Sequence, residues 1–231
     1  MFQDKKVIIV GPSSYLENKK TGKFIDSFDL VVRINNLHDI NNSELVEDLG
    51  LKTDIIYFDG SMDQSRFDRY TTCNPKLLKC TYPESEWFFE DRCKTNVTGL
   101  KNFFNIDVVN NIMYQNLKCS LDENFKVRPN SGLIAIVDLL KFPIKELYVT
   151  GIDFYRNSYS SYHPDYGGKS LEYVKQVFKN GDNGDVHDIN KQFMYFKNLF
   201  KSESKLKTDN TMLEYIQNIK YENILFWLEN V

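Results

Sequence analysis

Short, continuous apolar runs punctuate the chain, and polar stretches compatible with helix lie between them. Lys6–Val10 reads Lys-Val-Ile-Ile-Val, Leu30–Ile34 reads Leu-Val-Val-Arg-Ile, Asp54–Phe58 reads Asp-Ile-Ile-Tyr-Phe and Glu146–Thr150 reads Glu-Leu-Tyr-Val-Thr. Runs of this kind, without polar alternation, are what strands covered on both faces require, so they are predicted as central strands of a parallel sheet. The spacing predicts a helix beginning at Tyr15-Leu16, a second from an N-cap at Ser43 to about Gly50, and a third over Gln64–Tyr70. Leu133–Leu140 is almost uniformly apolar, which predicts a buried helix opened by Asn130 or Ser131 and ended near Pro143. His187 and Asp188 open another through Gln192, Phe193, Phe196 and Leu199, and Met212–Ile219 with Ile224–Leu228 close the chain. Between Thr71 and Asn124 the pattern is mixed, with apolar runs at Lys76–Tyr82 and Phe103–Val109 on either side of an acidic, aromatic stretch. Arg156–Gly168 is rich in tyrosine and serine without periodicity, and Gly181–Asp185 is turn-like; residues 156–185 are expected to form a mobile loop over a site.

Strands alternating with helices predict an α/β fold, a mainly parallel, Rossmann-like sheet flanked by helices, with ligands at the carboxyl ends of its strands. Gly11, Asn35, Asp59 and Asp153 fall at such ends. At 231 residues and 42% apolar content the chain suits a single domain spanning residues 1–231. The formal net charge of −3 gives no global attraction to nucleic acid, and no apolar run reaches bilayer length. A cytoplasmic protein is therefore expected, with peripheral membrane contact left open. Cys73, Cys80, Cys93 and Cys119 lack the spacing of a zinc site and are expected to be reduced thiols.

Three segments carry candidate chemistry. Gly11-Pro12-Ser13-Ser14 can present backbone N–H groups and a hydroxyl to an anion, or it can be a plain strand-to-helix connection. It lacks G-x-G-x-x-G and G-K-[ST], which leaves a dinucleotide or nucleoside-triphosphate loop, and hence an NAD-dependent oxidoreductase, poorly supported. Arg33-Ile34-Asn35-Asn36 offers amides able to donate and accept, or an Asx turn beside a surface arginine. Arg128-Pro129-Asn130-Ser131-Gly132 caps the buried helix, and Arg128 gains nothing from the positive end of that helix unless an anion sits there too. A histidine ordinarily titrates near neutrality and, placed near a bound nucleophile, is a natural general base, which makes His187 the candidate; His38 has no companion features, and His163 is intermediate. No D-x-D triplet occurs, so no carboxylate pair for a metal-bound sugar diphosphate is evident.

Together these segments resemble two families of sialyltransferase. VIIVGPSSYLENKKTGKFIDSFDLVVRINN, from Val7 to Asn36, and Glu47–Thr53 are similar to the large sialyl motif of glycosyltransferase family 29. RPNSGLIAIVDLL resembles the small motif and Val186-His187-Asp188 the very short one. The second half also resembles bacterial family 42, whose R-x-x-S-G, G-I-D-F-Y and S-S-Y correspond to Arg128–Gly132, Gly151–Tyr155 and Ser160–Tyr162. The resemblance implies a GT-A variant glycosyltransferase fold and an inverting, metal-independent transfer of sialic acid, or a related ulosonic acid such as Kdo, from its CMP-linked form to an oligosaccharide or glycolipid hydroxyl. It implies no cofactor, the CMP-sugar being a substrate. Gly11, Pro12, Ser13, Asn35, Asn130, Ser131, Gly132, Gly151 and Asp153 would bind the donor. Tyr155 and Tyr162 would donate to the departing phosphate, Arg128 would orient that region, and His187 would be the base. Pro12 replaces a favoured asparagine, and Gln192 stands where family 29 usually has glutamate. Two alternatives are a serine hydrolase using Ser13, Asp153 and His187, against which Tyr15 counts at the elbow's glycine position, and a nucleotide-binding module without catalysis.

Overall fold

The computed structural model describes residues 1–35, 38–84, 91–123, 127–163, 166–179 and 187–218. Seven strands form one all-parallel sheet: β1 (Lys6–Val10), β2 (Leu30–Ile34), β3 (Ile55–Phe58), β4 (Leu77–Cys80), β5 (Ile106–Val108), β6 (Glu146–Thr150) and β7 (Leu206–Thr208), in the order β5-β4-β3-β2-β1-β6-β7. The chain leaves β1 in one direction to build β2 through β5, then returns to place β6 on the other side of β1. The β1/β6 boundary is thus the switch point, where an open α/β sheet offers a crevice beyond its strand ends.

The helices are α1 (Gly22–Asp26), α2 (Ser43–Leu49), α3 (Gln64–Cys73), α4 (Asp91–Leu100), α5 (Asn111–Leu121), α6 (Ser131–Leu139), α7 (Leu171–Lys179), α8 (Ile189–Ser202) and α9 (Asn210–Asn218). Successive strand side chains point to opposite faces, so Val7, Ile9, Val32, Tyr57 and Val149 pack with α5, α6, α8 and α9. Ile8, Val10 and Val31 pack instead with Ile25 and Leu49 of α1 and α2, while Ile56, Phe58 and Leu78 meet Tyr70 and Val97 of α3 and α4. Burial on both faces is why the strands read as unbroken apolar runs; each fully buried Val or Ile contributes roughly 1.5–3 kcal/mol. Under α6 the network is ionic: Lys79 Nζ lies 2.6 Å from Asp138, both about 5% exposed or less, and the Tyr57 hydroxyl donates to the same carboxylate.

Several expectations are corrected. The turn after β1 does not open an α-helix; Ser14–Leu16 is a single 3₁₀ turn, and Ser13 makes no capping bond. Asn42 rather than Ser43 caps α2, accepting from Glu44 and Leu45 N–H. The stretch expected to be loop at 156–185 contains α7, a nine-residue helix with Val174 fully buried. The mixed middle segment resolves into β4, β5 and the helices α4 and α5, and β7 was not foreseen. The run Ile224–Leu228 lies outside the described residues. Cys73, Cys80 and Cys119 are free thiols. Among the described residues no helix is long and apolar enough to cross a membrane.

Candidate active site

An open cleft of about 230 Å³ crosses the carboxyl ends of β3, β2, β1 and β6. Pro12, Ser13, Asn35, Asn130, Ser131, Gly132, Gly151, Asp153, Tyr155 and His187 all line it, so ten of the thirteen site residues expected from sequence come together. Gly11, Arg128 and Tyr162 are not in its walls.

Gly11 works beneath the floor. β1 and β6 approach so closely past their last rungs that a Cβ on Gly11 would lie 2.3 Å from the Gly151 carbonyl oxygen, and one on Gly151 would lie 2.4 Å from that of Gly11. Gly11 N–H donates to Thr150 and Ser13 N–H to Gly151. The close approach lets Ser13 Oγ donate to Asp153 at 2.7 Å. Asp153 also accepts from Tyr155 N–H and from both the backbone and side-chain N–H groups of Asn157. Burial pushes its carboxyl above the usual range, against the pull of these donors. The knot holds Phe154 and Tyr155 in the left-handed region, at φ 52° and 61°, and aims Tyr155 into the cleft.

Asn130 caps α6 by accepting from Leu133 N–H, which is the structural role weighed for it. Ser131 Oγ pairs with Thr81 Oγ1 at 3.3 Å. The Arg128 guanidinium lies against the hydroxyl and ring of Tyr82, a cleft residue, and the Arg128 backbone also serves the site. His187 Nδ1 lies 2.8 Å from the Arg128 carbonyl oxygen. A carbonyl can only accept, so Nδ1 carries the proton, and Nε2 is the basic nitrogen of the neutral ring. Gln192, fully buried on the first turn of α8, accepts from Asn130 N–H and so ties the histidine's helix to the start of α6. Its Nε2 has no hydrogen-bond partner among the described residues.

The loop after β6 supplies an aromatic wall. Tyr155 stacks near His187, ring centroids 6.4 Å apart at 11°, and shares a hydrogen bond with Tyr159. Burial pushes both phenols upward, keeping them proton donors. Tyr159 stacks on Tyr166 and lies tilted against His163, whose Nδ1 accepts from Tyr166 N–H. The loop is fastened to the turn after β1: Ser13 and Tyr159 form an isolated bridge, Ser160 N–H donates to Pro12, and Glu17 accepts from Ser160 Oγ and Ser161 N–H. This register puts Tyr159 in the cleft. It places Tyr162 against His38, with centroids 6.0 Å apart, among the apolar residues of α1 and α2.

At the β2/β3 corner, Asn35 is left-handed at φ 53° and its Oδ1 accepts from Asp59 N–H, which leaves the amide NH₂ to a ligand. Asp59 pairs with Arg66 at 3.0 Å. Arg33 is not a surface residue: it is 3% exposed and binds the carbonyls of Leu49 and Lys52 and the Thr53 hydroxyl. His38 donates from Nε2 to the Gly50 carbonyl, and burial pushes its pKa down to about 4.

A serine hydrolase needs histidine between serine and aspartate. Ser13 is bonded directly to Asp153, and the His187 Nδ1 proton goes to a backbone carbonyl, so that alternative is overturned. Among the described residues, no three His, Cys, Asp or Glu side chains gather as a metal site would need. Sequence reasoning missed Tyr82, Asn157, Tyr159 and Arg66 as cleft residues. Only the tyrosine-rich composition of the loop pointed toward any of them.

Residues 3–86 match the model of glycosyltransferase family 29 (sialyltransferase), so the resemblance to that family is borne out over this stretch. No curated protein matches the chain. Among solved structures, the sialyltransferase CstII from Campylobacter jejuni, determined in complex with a substrate analogue, cytidine-5′-monophosphate, superposes with a TM-score of 0.60 at 20% identity, over 94% of this chain and 85% of that one. The monofunctional α-2,3-sialyltransferase Cst-I from the same organism gives 0.61 at 16% identity, over 94% and 80%. A mammalian sialyltransferase gives 0.55 at 14% identity, over 89% and 69%. These likenesses establish the fold, a parallel α/β sheet shared with the sialyltransferases.

Proposed function

We propose that this protein is a glycosyltransferase that moves sialic acid, or a related ulosonic acid such as Kdo, from its CMP-linked form to a hydroxyl of an oligosaccharide or glycolipid. The reaction inverts the anomeric centre and needs no metal ion. The observation that carries this reading is the anchoring of His187: its Nδ1–H bond to Arg128 makes Nε2 the base, in the same cleft as the start of α6 and the paired Tyr155 and Tyr159 hydroxyls.

Nε2 accepts the acceptor's hydroxyl proton as that oxygen attacks the anomeric carbon. The bond from that carbon to the CMP phosphate breaks on the opposite side. Tyr155 and Tyr159 donate to the departing phosphate. Phenols held protonated by burial suit that role, since hydrogen-bond donors preorganised toward developing charge supply much of an enzyme's rate. The Pro12–Ser13 turn, Asn35 and Gly151 hold the nucleotide half at the switch point, and Ser131 and Gly132 at the start of α6 meet the donor's carboxylate.

Thermal stabilisation by CMP, compared with UDP, GDP and NAD, tests the donor class; a shift with all four or with none refutes it. His187→Ala should cut transfer by roughly 10² to 10⁴ while CMP still binds, as expected for loss of a general base. Transfer undiminished by that substitution would remove the assigned base. Turnover that vanishes in EDTA and returns with a divalent cation would refute metal independence.

A further inference from the structure

Tyr15 sits on the single 3₁₀ turn after β1, outside the walls of the cleft, yet its hydroxyl reaches the backbone that carries the cleft's chemistry. The pairing of β6 with β7 ends at Val149 opposite Thr208, and the chain then turns at Gly151, whose φ is 71°. Gly151 N–H donates not to a strand but to the Tyr15 hydroxyl oxygen, at 2.5 Å. The Tyr15 proton goes on to Asp209 Oδ2 at 2.7 Å, across 194 positions of sequence, and Thr150 Oγ1 donates to the same oxygen at 2.6 Å. Burial first, and then the charge of Asp209, push the phenol upward, so Tyr15 stays protonated and donates while its oxygen accepts from Gly151.

Asp209 precedes α9, and its other oxygen accepts from Met212 N–H. That single bond is all a helix cap requires, and asparagine or serine would serve equally well. Capping therefore leaves unexplained why a second carboxylate oxygen gathers two hydroxyls, one of them bonded to a cleft residue. The turn that carries Tyr15 grips the same segment twice more. Ser13 N–H donates to the Gly151 carbonyl, and Ser13 Oγ donates to Asp153. Gly151 is thus held through its N–H and its C=O, and Asp153 through its side chain. Directly after them come Phe154 and Tyr155, both left-handed, a conformation that persists only where the surroundings over-determine it.

We propose that Tyr15, set by Asp209, is a positioning residue for the transfer reaction: by holding Gly151 N–H it fixes the segment that aims the Tyr155 hydroxyl at the departing phosphate. The assignment rests on the sugar-nucleotide reading above. It is tested by the rate of CMP release from CMP-sialic acid in the wild type, Tyr15→Phe, Asp209→Asn, Tyr155→Phe and the double variant Tyr15→Phe/Tyr155→Phe. Tyr15→Phe keeps the ring but frees Gly151 N–H. It should lower kcat about tenfold, on a scale where a 1 Å misplacement costs roughly a hundredfold. The Ser13 bond to the Gly151 carbonyl remains, so KM should stay within about twofold of wild type. Asp209→Asn preserves the cap through its amide oxygen but turns an NH₂ donor toward two hydroxyls that need an acceptor; it should reproduce the kcat loss. In the Tyr155→Phe background, Tyr15→Phe should cost less than a further twofold, because it acts through Tyr155. Exchange of the Gly151 amide proton, followed by NMR, should quicken in Tyr15→Phe.

A Tyr15→Phe protein that melts earlier at unchanged kcat has lost only stability, and that result overturns the inference. Losses that multiply in the double variant, or Gly151 exchange at the wild-type rate, overturn it as well. Should Tyr15→Phe not fold, kcat in Asp209→Asn decides. A wild type that releases CMP while both Tyr15→Phe and Asp209→Asn match it refutes this inference alone, whereas a wild type that releases none refutes the sugar-nucleotide reading and this one together.

Discussion

Replacing Gly11 with alanine tests the close approach of β1 and β6 beneath the cleft. The added Cβ would sit 2.3 Å from the Gly151 carbonyl oxygen, 2.6 Å from its carbon and 2.5 Å from Ile152 Cγ1. Two of these neighbours are backbone, so no rotamer change relieves them, and an ordinary contact near 3.4 Å requires the ends of β1 and β6 to part by about 1 Å. Overpacking of this kind costs about 1–3 kcal/mol. The bonds from Gly11 to Thr150 and from Ser13 to Gly151, at 2.8 and 3.1 Å, must stretch as well, at about 1 kcal/mol each. The sum is about 3–5 kcal/mol, which for a chain of this size lowers the melting temperature by roughly 10 °C. The same displacement pulls Ser13 from Asp153 and should abolish stabilisation by CMP. Gly99→Ala serves as the control: it lies in α4 with nothing within 4 Å of its Cβ position, and it should gain up to about 1 kcal/mol from helix propensity. Urea denaturation of both variants measures the difference. Wild-type stability for Gly11→Ala would refute the close approach and return that glycine to the role of a ligand-cradling turn.

Other outcomes follow from individual contacts. Tyr159→Phe should reduce donor turnover by tenfold or more, while Tyr162→Phe, whose ring lies against His38, should leave it near wild type; steady-state kinetics reversing that order would move the phosphate contact back to Tyr162. His38 is neutral when folded, with a pKa near 4 against 6.5 unfolded. Its contribution is therefore present above pH 6.5 and lost as the pH falls toward 4, where the unfolded chain binds the extra proton; the loss is on the order of 3 kcal/mol. His38→Gln should flatten the stability profile in that window, and an unchanged slope would contradict the assignment. Lys79→Met strands the buried Asp138 carboxylate and should cost about 3–5 kcal/mol. A loss below 1 kcal/mol in urea denaturation would mean that water reaches the pair.

The central strands were legible because their cause is local: a strand covered on both faces must be apolar at every position, and that pattern shows in five residues. The start of α6 was legible for the same reason, since Asn130 answers its own helix's orphan N–H groups. Helix α7 hid because an amphipathic segment following tyrosines, serines and glycines carries no strong start signal. Strand β7 hid because three residues at a sheet edge give too short a pattern.

Sequence alone determined the α/β class, the main parallel strands and most of the residues that meet at their carboxyl ends, because the alternation of strand and helix sets strand polarity; the order of strands in the sheet, and with it the switch point, came from the tertiary structure. Tertiary structure decided what each residue does there. Gly11 packs rather than cradles, Arg33 braces a loop from inside, and Arg128 holds His187 through its carbonyl while its side chain lies on Tyr82. The bridge from Ser13 to Tyr159 chooses which tyrosine enters the cleft, and Arg66 arrives from α3 to face Asp59. Most of these roles join segments far apart in the chain, up to 146 residues for Ser13 and Tyr159, and depend on approach distances of a few tenths of an ångström that no one-dimensional pattern records.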